Sequence, residues 1–429
     1  MTMTAVEALE PGELNGGRLG PGSTLCLVCG ERAAAPFLDL GSTALANNLP
    51  VHPEASPPDP LFPLRVGFCP VCHHVQLLEL TAPQAMFDEY LYVSSASSTL
   101  SAHFVDLAEA VQRRIAPGPA DLCVDIGSND GSLLAALAAV SGARVRGVDP
   151  AANLAGLARA RGVETEVAYF KAETATRVRS SLGEAQLITA TNSFPHIPDL
   201  DGYLNGVETL LARDGVFVIE AHYLGDMIEQ NAFDTIYHEH ASYWALGPLE
   251  RILGRHGLEV FDAERLPIHH GQLRVWVARR GRRPIEPAVE RLRLAEAAAG
   301  LGRLATFEAF ALRVAALRVQ LRECLSGLRA RGQRVAGYGA PAKASTLLAY
   351  CGFGPRDIAW IADRNRLKQG RATPGTRIPI VAPGQIELER PDVLVLFAWN
   401  FAAEIGLQLA EYRRGGLRLL VPVPAVQLV

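Results

Sequence analysis

The run Val124-Asp-Ile-Gly-Ser-Asn-Asp-Gly131 constrains this chain more than any other. A short apolar stretch passes into a turn bearing two glycines, and an Ala/Leu-rich segment over 132–140 follows at helical spacing. That order reads as a strand entering a helix, with glycine letting the backbone come close to a ligand at the helix N-terminus. Around the turn the patterns alternate: a helix over 104–114, then strands over 122–126, 144–148, 186–190 and 216–219. The alternation predicts an α/β fold built on a doubly wound parallel sheet.

The turn has the form hydrophobic-Asp-hydrophobic-Gly-x-x-x-Gly, and an acidic residue, Asp149, closes the next strand. A carboxylate there can accept both ribose hydroxyls of a nucleoside. The pattern is similar to that of S-adenosylmethionine-dependent methyltransferases rather than to the G-x-G-x-x-G dinucleotide binders. S-adenosylmethionine has no pyrophosphate to cradle, so it needs fewer close-approach glycines.

Two cysteine pairs precede this turn, Cys26-x-x-Cys29 and Cys69-x-x-Cys72. Each C-x-x-C knuckle offers two thiolates to one ion, and two knuckles close a tetrahedral shell, so a structural zinc site is expected at these four residues. The residues between the pairs are rich in Pro and short apolar runs, which predicts a small loop-rich module. The remaining cysteines of the seven, Cys123, Cys324 and Cys351, lie in apolar surroundings and read as inert core thiols.

A chain of 429 residues exceeds one core of ordinary size, so two or three domains are expected. With 49% hydrophobic and 20% charged residues it reads as a globular protein. A net charge of -4 gives no electrostatic reason to expect nucleic acid or an anionic membrane as partner. The first 20 or so residues lack an apolar core and read as a disordered tail rather than a secretory signal. The apolar stretch 393–409 is interrupted by Asn400 and Glu404, so no membrane span is expected. The expected location is cytoplasmic.

Residues 283–330 carry apolar positions at helical spacing and predict one or two linking helices. Strand-turn-helix over 334–349, then strands at 357–362 and 393–397, predict a second α/β domain. Its turn, Gly337-Tyr-Gly339-Ala-Pro-Ala342, fits G-x-G-x-x-A, with Asp363 closing a later strand and Arg364 beside it. Read alone this is a dinucleotide fingerprint, although Pro341 would begin the helix without an N–H to give.

The cluster Tyr237-His-Glu-His240 carries general-base chemistry. Transfer of a methyl group to carbon needs a carbanion equivalent, and a histidine can take the proton while tyrosine hydroxyls donate to the enolate oxygen. Tyr237 and His240 share a face if the stretch is helical; His238 and His240 share one if it is extended. The H-E-x-x-H spacing of a metal site is absent.

These residues, taken in order, resemble the zinc-containing nucleotide-sugar C-methyltransferases that act on C-3 of TDP-4-keto-deoxyhexoses in antibiotic sugar pathways. The matching stretches are the two Cys pairs, Tyr90-Leu-Tyr92-Val-Ser-Ser, Ile126 to Gly131, Asn192-Ser-Phe-Pro-His196, Asn231-Ala-Phe-Asp-Thr-Ile-Tyr237-His-Glu-His240, Gly337-Tyr-Gly-Ala-Pro-Ala-Lys343 and Lys368-Gln-Gly-Arg. The resemblance implies an N-terminal zinc-binding module (20–85), a central Rossmann-like class I methyltransferase domain (86–282) and a C-terminal Rossmann-like domain for the nucleotide sugar (283–429).

Carried onto this sequence, His240 is the implied base at C-3, with Tyr237, Glu239, His196, Tyr90 and Tyr92 around the sugar. Asp125, Gly127, Ser128, Asn129, Asp130, Gly131, Asp149, Pro150, Asn192 and Ser193 are the implied S-adenosylmethionine residues. Lys343, Thr346, Lys368, Tyr223 and Asn231 are the implied substrate contacts. The chain departs from the family at Thr191, at Pro195 and in the run His270-Gly-Gln272, which bears on the shape of the sugar pocket. A monomer acting on a TDP-linked keto-sugar is expected. Two alternatives stand beside it: an enzyme that also reduces the 4-keto group with NADPH, and a non-catalytic zinc-stapled nucleotide-binding protein.

Overall fold

The computed structural model of the chain describes residues 8–9, 25–31, 34–51, 56–268 and 271–429. The expected N-terminal tail lies outside these residues except for Ala8–Leu9, which pairs antiparallel with Leu80–Thr81. His270, one of the departures noted above, also lies outside them.

Seven strands form the central sheet in the order Thr165–Val167, Arg144–Asp149, Leu122–Ile126, Ala185–Thr191, Leu211–His222, Gln272–Arg279, Leu258–Leu266. All neighbours run parallel until Gln272–Arg279, which is antiparallel to both of its own. Alternate residues explain why helices cover both faces. Cys123, Leu187, Val216 and Val218 pack on one side with Leu107, Val111 and Leu134. Val124, Ile188, Phe217 and Ile219 pack on the other with Leu204 and Val207. Strand order reverses between Leu122–Ile126 and Ala185–Thr191, so a crevice opens at their carboxyl ends.

The N-terminal part is more regular than its composition suggested. Ala35–Thr43 and Phe62–Phe68 pair antiparallel, and Val75–Leu77 continues the sheet. In Phe62–Phe68 the residues Phe62, Leu64 and Val66 are buried while Pro63 and Arg65 are exposed. That period of two was present in the sequence, hidden among prolines. The fourth strand of this sheet is Ser242–Tyr243, contributed from far along the chain.

Helices Pro287–Ala298 and Leu304–Ala330 lead to the last sheet, ordered Ile380–Val381, Ile361–Ala362, Val335–Tyr338, Val393–Leu396, Arg418–Val421, Gln427–Leu428. It is parallel except for the final strand. The strand expected over 357–362 is shorter, Ile361–Ala362, because Asp357 and Ile358 are drawn into a turn against the Gly354 carbonyl. Among the described residues no helix is long and apolar enough to cross a membrane.

Candidate active site

The glycine turn is built as a cradle. Gly127 and Gly131 sit at φ +78° and +74°, and Asn129 between them at +50°. A Cβ on Gly127 would stand 2.4 Å from the Cβ of Ser193, whose hydroxyl donates to the Ile126 carbonyl at 2.5 Å. Asp149 is tied to the same turn, accepting from the Asn129 N–H and the Ala151 N–H, both at 2.8 Å. Pro150 follows it directly into the helix Ala152–Ala160. Asn192, at φ +58°, leads off the adjacent strand and accepts from Gln272 Nε2 at 2.5 Å.

Asp125 sits deeper than a ligand contact would require. It is buried within the strand, accepts from Thr189 Oγ1 at 2.6 Å, and burial raises its carboxyl to about 7. It braces the turn from beneath. Ser128 and Asp130 are likewise buried, and Asp130 accepts from the Ser132 hydroxyl at 2.7 Å.

The segment Tyr90–Ser95 crosses over this cradle. Asn129 Nδ2 donates to the Tyr92 carbonyl at 3.0 Å, Ser94 N–H donates to Asn129 Oδ1 at 3.0 Å and Ser95 N–H to Asp130 Oδ2 at 3.2 Å. At its other end the Tyr90 hydroxyl donates to Glu239 Oε2 at 2.9 Å. Tyr90 reaches the His-Glu-His loop through its hydroxyl, and Tyr92, whose backbone carbonyl is anchored on the glycine turn, has its ring 6.3 Å from that of Tyr90.

Tyr237 and His240 meet through a turn, not a helix or a strand. The His240 N–H donates to the Tyr237 carbonyl at 2.9 Å and the two rings are 4.1 Å apart. His240 is buried, which lowers its pKa to about 4, and its Nδ1 lies 2.7 Å from the Thr235 carbonyl. A carbonyl only accepts, so Nδ1 carries the proton and Nε2 keeps its lone pair. Two further imidazoles surround it: His196 at 5.2 Å between ring centres and His222 at 5.1 Å. Burial, with the neighbouring His240, holds His196 well below the usual histidine range. Burial and the adjacent Glu239 charge push the Tyr237 hydroxyl well above the usual phenol range, so it stays a hydrogen-bond donor.

Glu239 is buried between Tyr90 and Asn47, whose Nδ2 donates to Oε1 at 2.7 Å. Burial raises its carboxyl to about 7 against these two hydrogen bonds and the Lys368 charge. His238 faces away from the other two, 3.2 Å from the Pro63 carbonyl. Three parts of the chain thus converge on one loop. Asn47, in the turn after Ala35–Thr43, and Pro63 come from the N-terminal part, Tyr90 from the segment crossing the cradle, and Lys368 from the turn between Ile361–Ala362 and Ile380–Val381.

The residues expected to touch substrate are mostly occupied with the protein itself. Thr346 Oγ1 donates to the Ile236 carbonyl at 2.7 Å. Lys368 is buried with Nζ donating to the Ala340 carbonyl at 2.7 Å, and Lys343 donates to Asn400 Oδ1 at 3.0 Å over the Trp399 ring. Asn231 receives Arg313 Nε at 2.8 Å and donates to the Pro424 carbonyl at 3.2 Å. Tyr223 is buried beneath Arg265, away from the loop.

Sequence reading missed His222, Asn47 and Gln272. His222 ends a central strand beside the one leading to Asn192, and position at a carboxyl end was the available signal. Asn47 had none, since its partner lies 192 residues away.

The four cysteines come together as expected. Their sulfurs all lie within 4.8 Å of one another, with Cys26–Cys72 at 3.4 Å and Cys29–Cys69 at 3.6 Å. A tetrahedral ion with Zn–S bonds of about 2.3 Å has sulfurs about 3.8 Å apart, so the donor set fits zinc. It is the single such cluster among the described residues. Cys123 and Cys351 are buried with thiols pushed up to about 12 by burial, and Cys324 is partly buried and also raised, as inert thiols should be.

Three family models match in series: a zinc binding domain over residues 26–87, a methyltransferase domain over 101–263, and a C-methyltransferase C-terminal domain over 267–424. The chain is 40% identical over 405 residues to C-methyltransferase NovU of Streptomyces niveus, covering 94% of this chain and 96% of that one. Fainter likenesses are to a SAM-dependent methyltransferase of Anabaena variabilis (14% identity, 46% of this chain, 98% of that one, TM-score 0.34). Geranyl diphosphate C-methyltransferase of Streptomyces coelicolor A3(2) stands similarly (14%, 43% and 83%, TM-score 0.32). With the zinc knuckles, the glycine cradle and the 40% identity to NovU over 94% of the chain in agreement, the chain belongs to the S-adenosylmethionine-dependent C-methyltransferase family.

Proposed function

We propose that the protein methylates C-3 of a TDP-linked 4-keto-deoxyhexose, with His240 removing the C-3 proton. The observation that carries this reading is the state of His240: buried, neutral, its Nδ1 proton committed to a carbonyl and its Nε2 lone pair unspent. A C–H beside a ketone is the kind of weak acid such a base can serve. S-adenosylmethionine supplies the electrophilic methyl group, held by the cradle Gly127–Gly131 with Asp149 and Asn192.

The chain's own residues then do three things. Nε2 of His240 takes the proton, and the C–H electron pair passes into an enolate. Tyr237, kept protonated by burial, lines the pocket as a donor for the developing oxyanion, while the Tyr90 hydroxyl donates to Glu239. The walls from three sheets exclude water, which strengthens each of these interactions. To meet the diphosphate end of the substrate near the start of the helix Ala342–Cys351, Lys343 and Lys368 would exchange their present partners, Asn400 Oδ1 and the Ala340 carbonyl, for its oxygens.

For the second glycine turn, both Asp363 oxygens accept backbone N–H groups, Ala340 at 2.6 Å and Asn365 at 2.7 Å. Asp149 closes the first turn in the same way, so the two turns are alike in this respect and the fate of the ketone is decided by experiment. The test is incubation of a TDP-4-keto-deoxyhexose with methyl-labelled donor, followed by NMR assignment of the new carbon. Label at C-3 with the ketone intact supports the reading. Label on oxygen, on another carbon, or on a reduced sugar overturns it.

A further inference from the structure

Tyr90 lies in a connection without regular structure, between the short helix Gln84–Phe87 and the single turn Ser94–Ala96, yet its hydroxyl reaches Glu239 at 2.9 Å. The bonds from Asn129 and Asp130 hold this connection at Tyr92, Ser94 and Ser95, and Arg161 adds one from Nη2 to the Ser95 hydroxyl at 2.9 Å. None of them touches Tyr90 itself. The rings of Phe87 and Tyr92 flank its own, at 5.7 and 6.3 Å, without a hydrogen bond.

The Tyr90 backbone is held from another side. Asn153 Nδ2 donates to the Tyr90 carbonyl at 2.9 Å, and the Tyr90 N–H donates to Asn153 Oδ1 at 3.2 Å. The amide meets the peptide as a neighbouring strand would, donor to acceptor and acceptor to donor. A side-chain amide offers both functions side by side; a carboxylate offers only the acceptor and alanine neither. Asn153 stands in the first turn of the helix Ala152–Ala160, and two residues earlier the Ala151 N–H donates to Asp149. The carboxylate at the donor cradle and the amide that holds Tyr90 therefore belong to the start of one helix.

We propose that Asn153 is a positioning residue for methyl transfer: by holding the Tyr90 backbone it keeps the phenol on Glu239, and so ties the donor cradle to the sugar pocket. It touches no reacting atom and acts through Tyr90. The role in transfer rests on the ligand placement given under the proposed function, but the consequence for Glu239 needs no ligand. The charged and titratable groups facing Glu239 are Tyr90, Tyr237 and Lys368, with Asn47 on its other oxygen. Of these, Tyr90 is the one bonded to Asn153. A hydrogen bond to a carboxylate favours the charged form, so losing the Tyr90 bond raises the pH at which Glu239 takes up its proton.

The test uses the full-length zinc protein, with infrared difference spectra following the Glu239 carboxyl band, assigned through Glu239→Gln. Tyr90→Phe and Asn153→Ala should each move the titration upward. Combined, they should move it no further than Tyr90→Phe alone, because both act on one bond. Asn153→Ala should also lower kcat about 10-fold while calorimetry shows unchanged donor affinity. A wild-type titration in Asn153→Ala, or a shift that adds to that of Tyr90→Phe, overturns the assignment. Methylation away from C-3 with the titration shift intact overturns the substrate reading and leaves Asn153 in its role. Asn153 is exposed, so its truncation spares the core. Should the variant still fail to fold, hydrogen exchange in the wild type decides: the Tyr90 amide should be protected although it lies in no helix or strand, and exchange as fast as in a free peptide overturns the proposal.

Discussion

At the scale of single residues the site rests on burial working against charge. His240 is kept neutral by desolvation, so the active form should persist to low pH. Under the proposed role as base its proton-bound form would be inactive, and that form gains weight only as pH falls through about 4, well under the ordinary histidine value of 6.5. The kcat/KM profile should therefore stay level from neutrality to about pH 5 before its acid limb, read with labelled donor. His240→Asn should cut methyl transfer by roughly 10²–10⁴-fold while calorimetry shows unchanged S-adenosylmethionine binding. Glu239 is raised to about 7 by burial, and the Tyr90 hydrogen bond opposes that rise. Tyr90→Phe should thus move the Glu239 titration upward, which infrared difference spectra of the carboxyl band would show; a downward move would disprove the contact. Such effects were not legible in the sequence. The identity of His240 was, but its low pKa comes from burial, to which the fold contributes by bringing the rings of His196 and His222 against it from other parts of the chain.

At the scale of elements, legibility follows the range of the interaction. The glycine turn, the strand Leu122–Ile126 and the helix after it were readable because strand, turn and helix are local patterns. The strand Phe62–Phe68 was missed because Pro63 looks like a breaker, yet an antiparallel edge residue that faces outward can be proline. The Tyr-His-Glu-His stretch could not be assigned a form, since it is a turn held by partners from other sheets. Two elements yield direct tests. Gly127→Ala places a methyl 2.4 Å from the Ser193 Cβ at a φ of +78°, so donor affinity should fall and stability drop by about 1–3 kcal/mol in denaturant melts. Thr346→Val removes the hydroxyl that supports the Ile236 carbonyl, and should lower kcat while leaving donor affinity intact.

At the scale of the whole molecule, the three sheets are not independent bodies. Val75–Leu77 pairs with Ser242–Tyr243 directly after His240, and His74 beside the last knuckle lies 3.1 Å from the Ser242 hydroxyl. Zinc is therefore placed to hold the loop Tyr237–His240 as well as its own knuckles. Removing it with a chelator, or substituting Cys69→Ser, should lower both the melting temperature and methyl transfer, with activity returning on addition of zinc. Loss of zinc with full activity would show that the loop stands without it. None of this long-range stitching was visible in the sequence, because the partners of Ser242 and Glu239 are set by tertiary pairing alone. The shared strand has one more consequence. A protease cutting between residue 87 and the helix Ser98–Arg114 would sever the chain without separating it, and the two pieces should elute together from a sizing column. Engineers who wish to swap the zinc portion between relatives would have to carry residues 242 and 243 along with it.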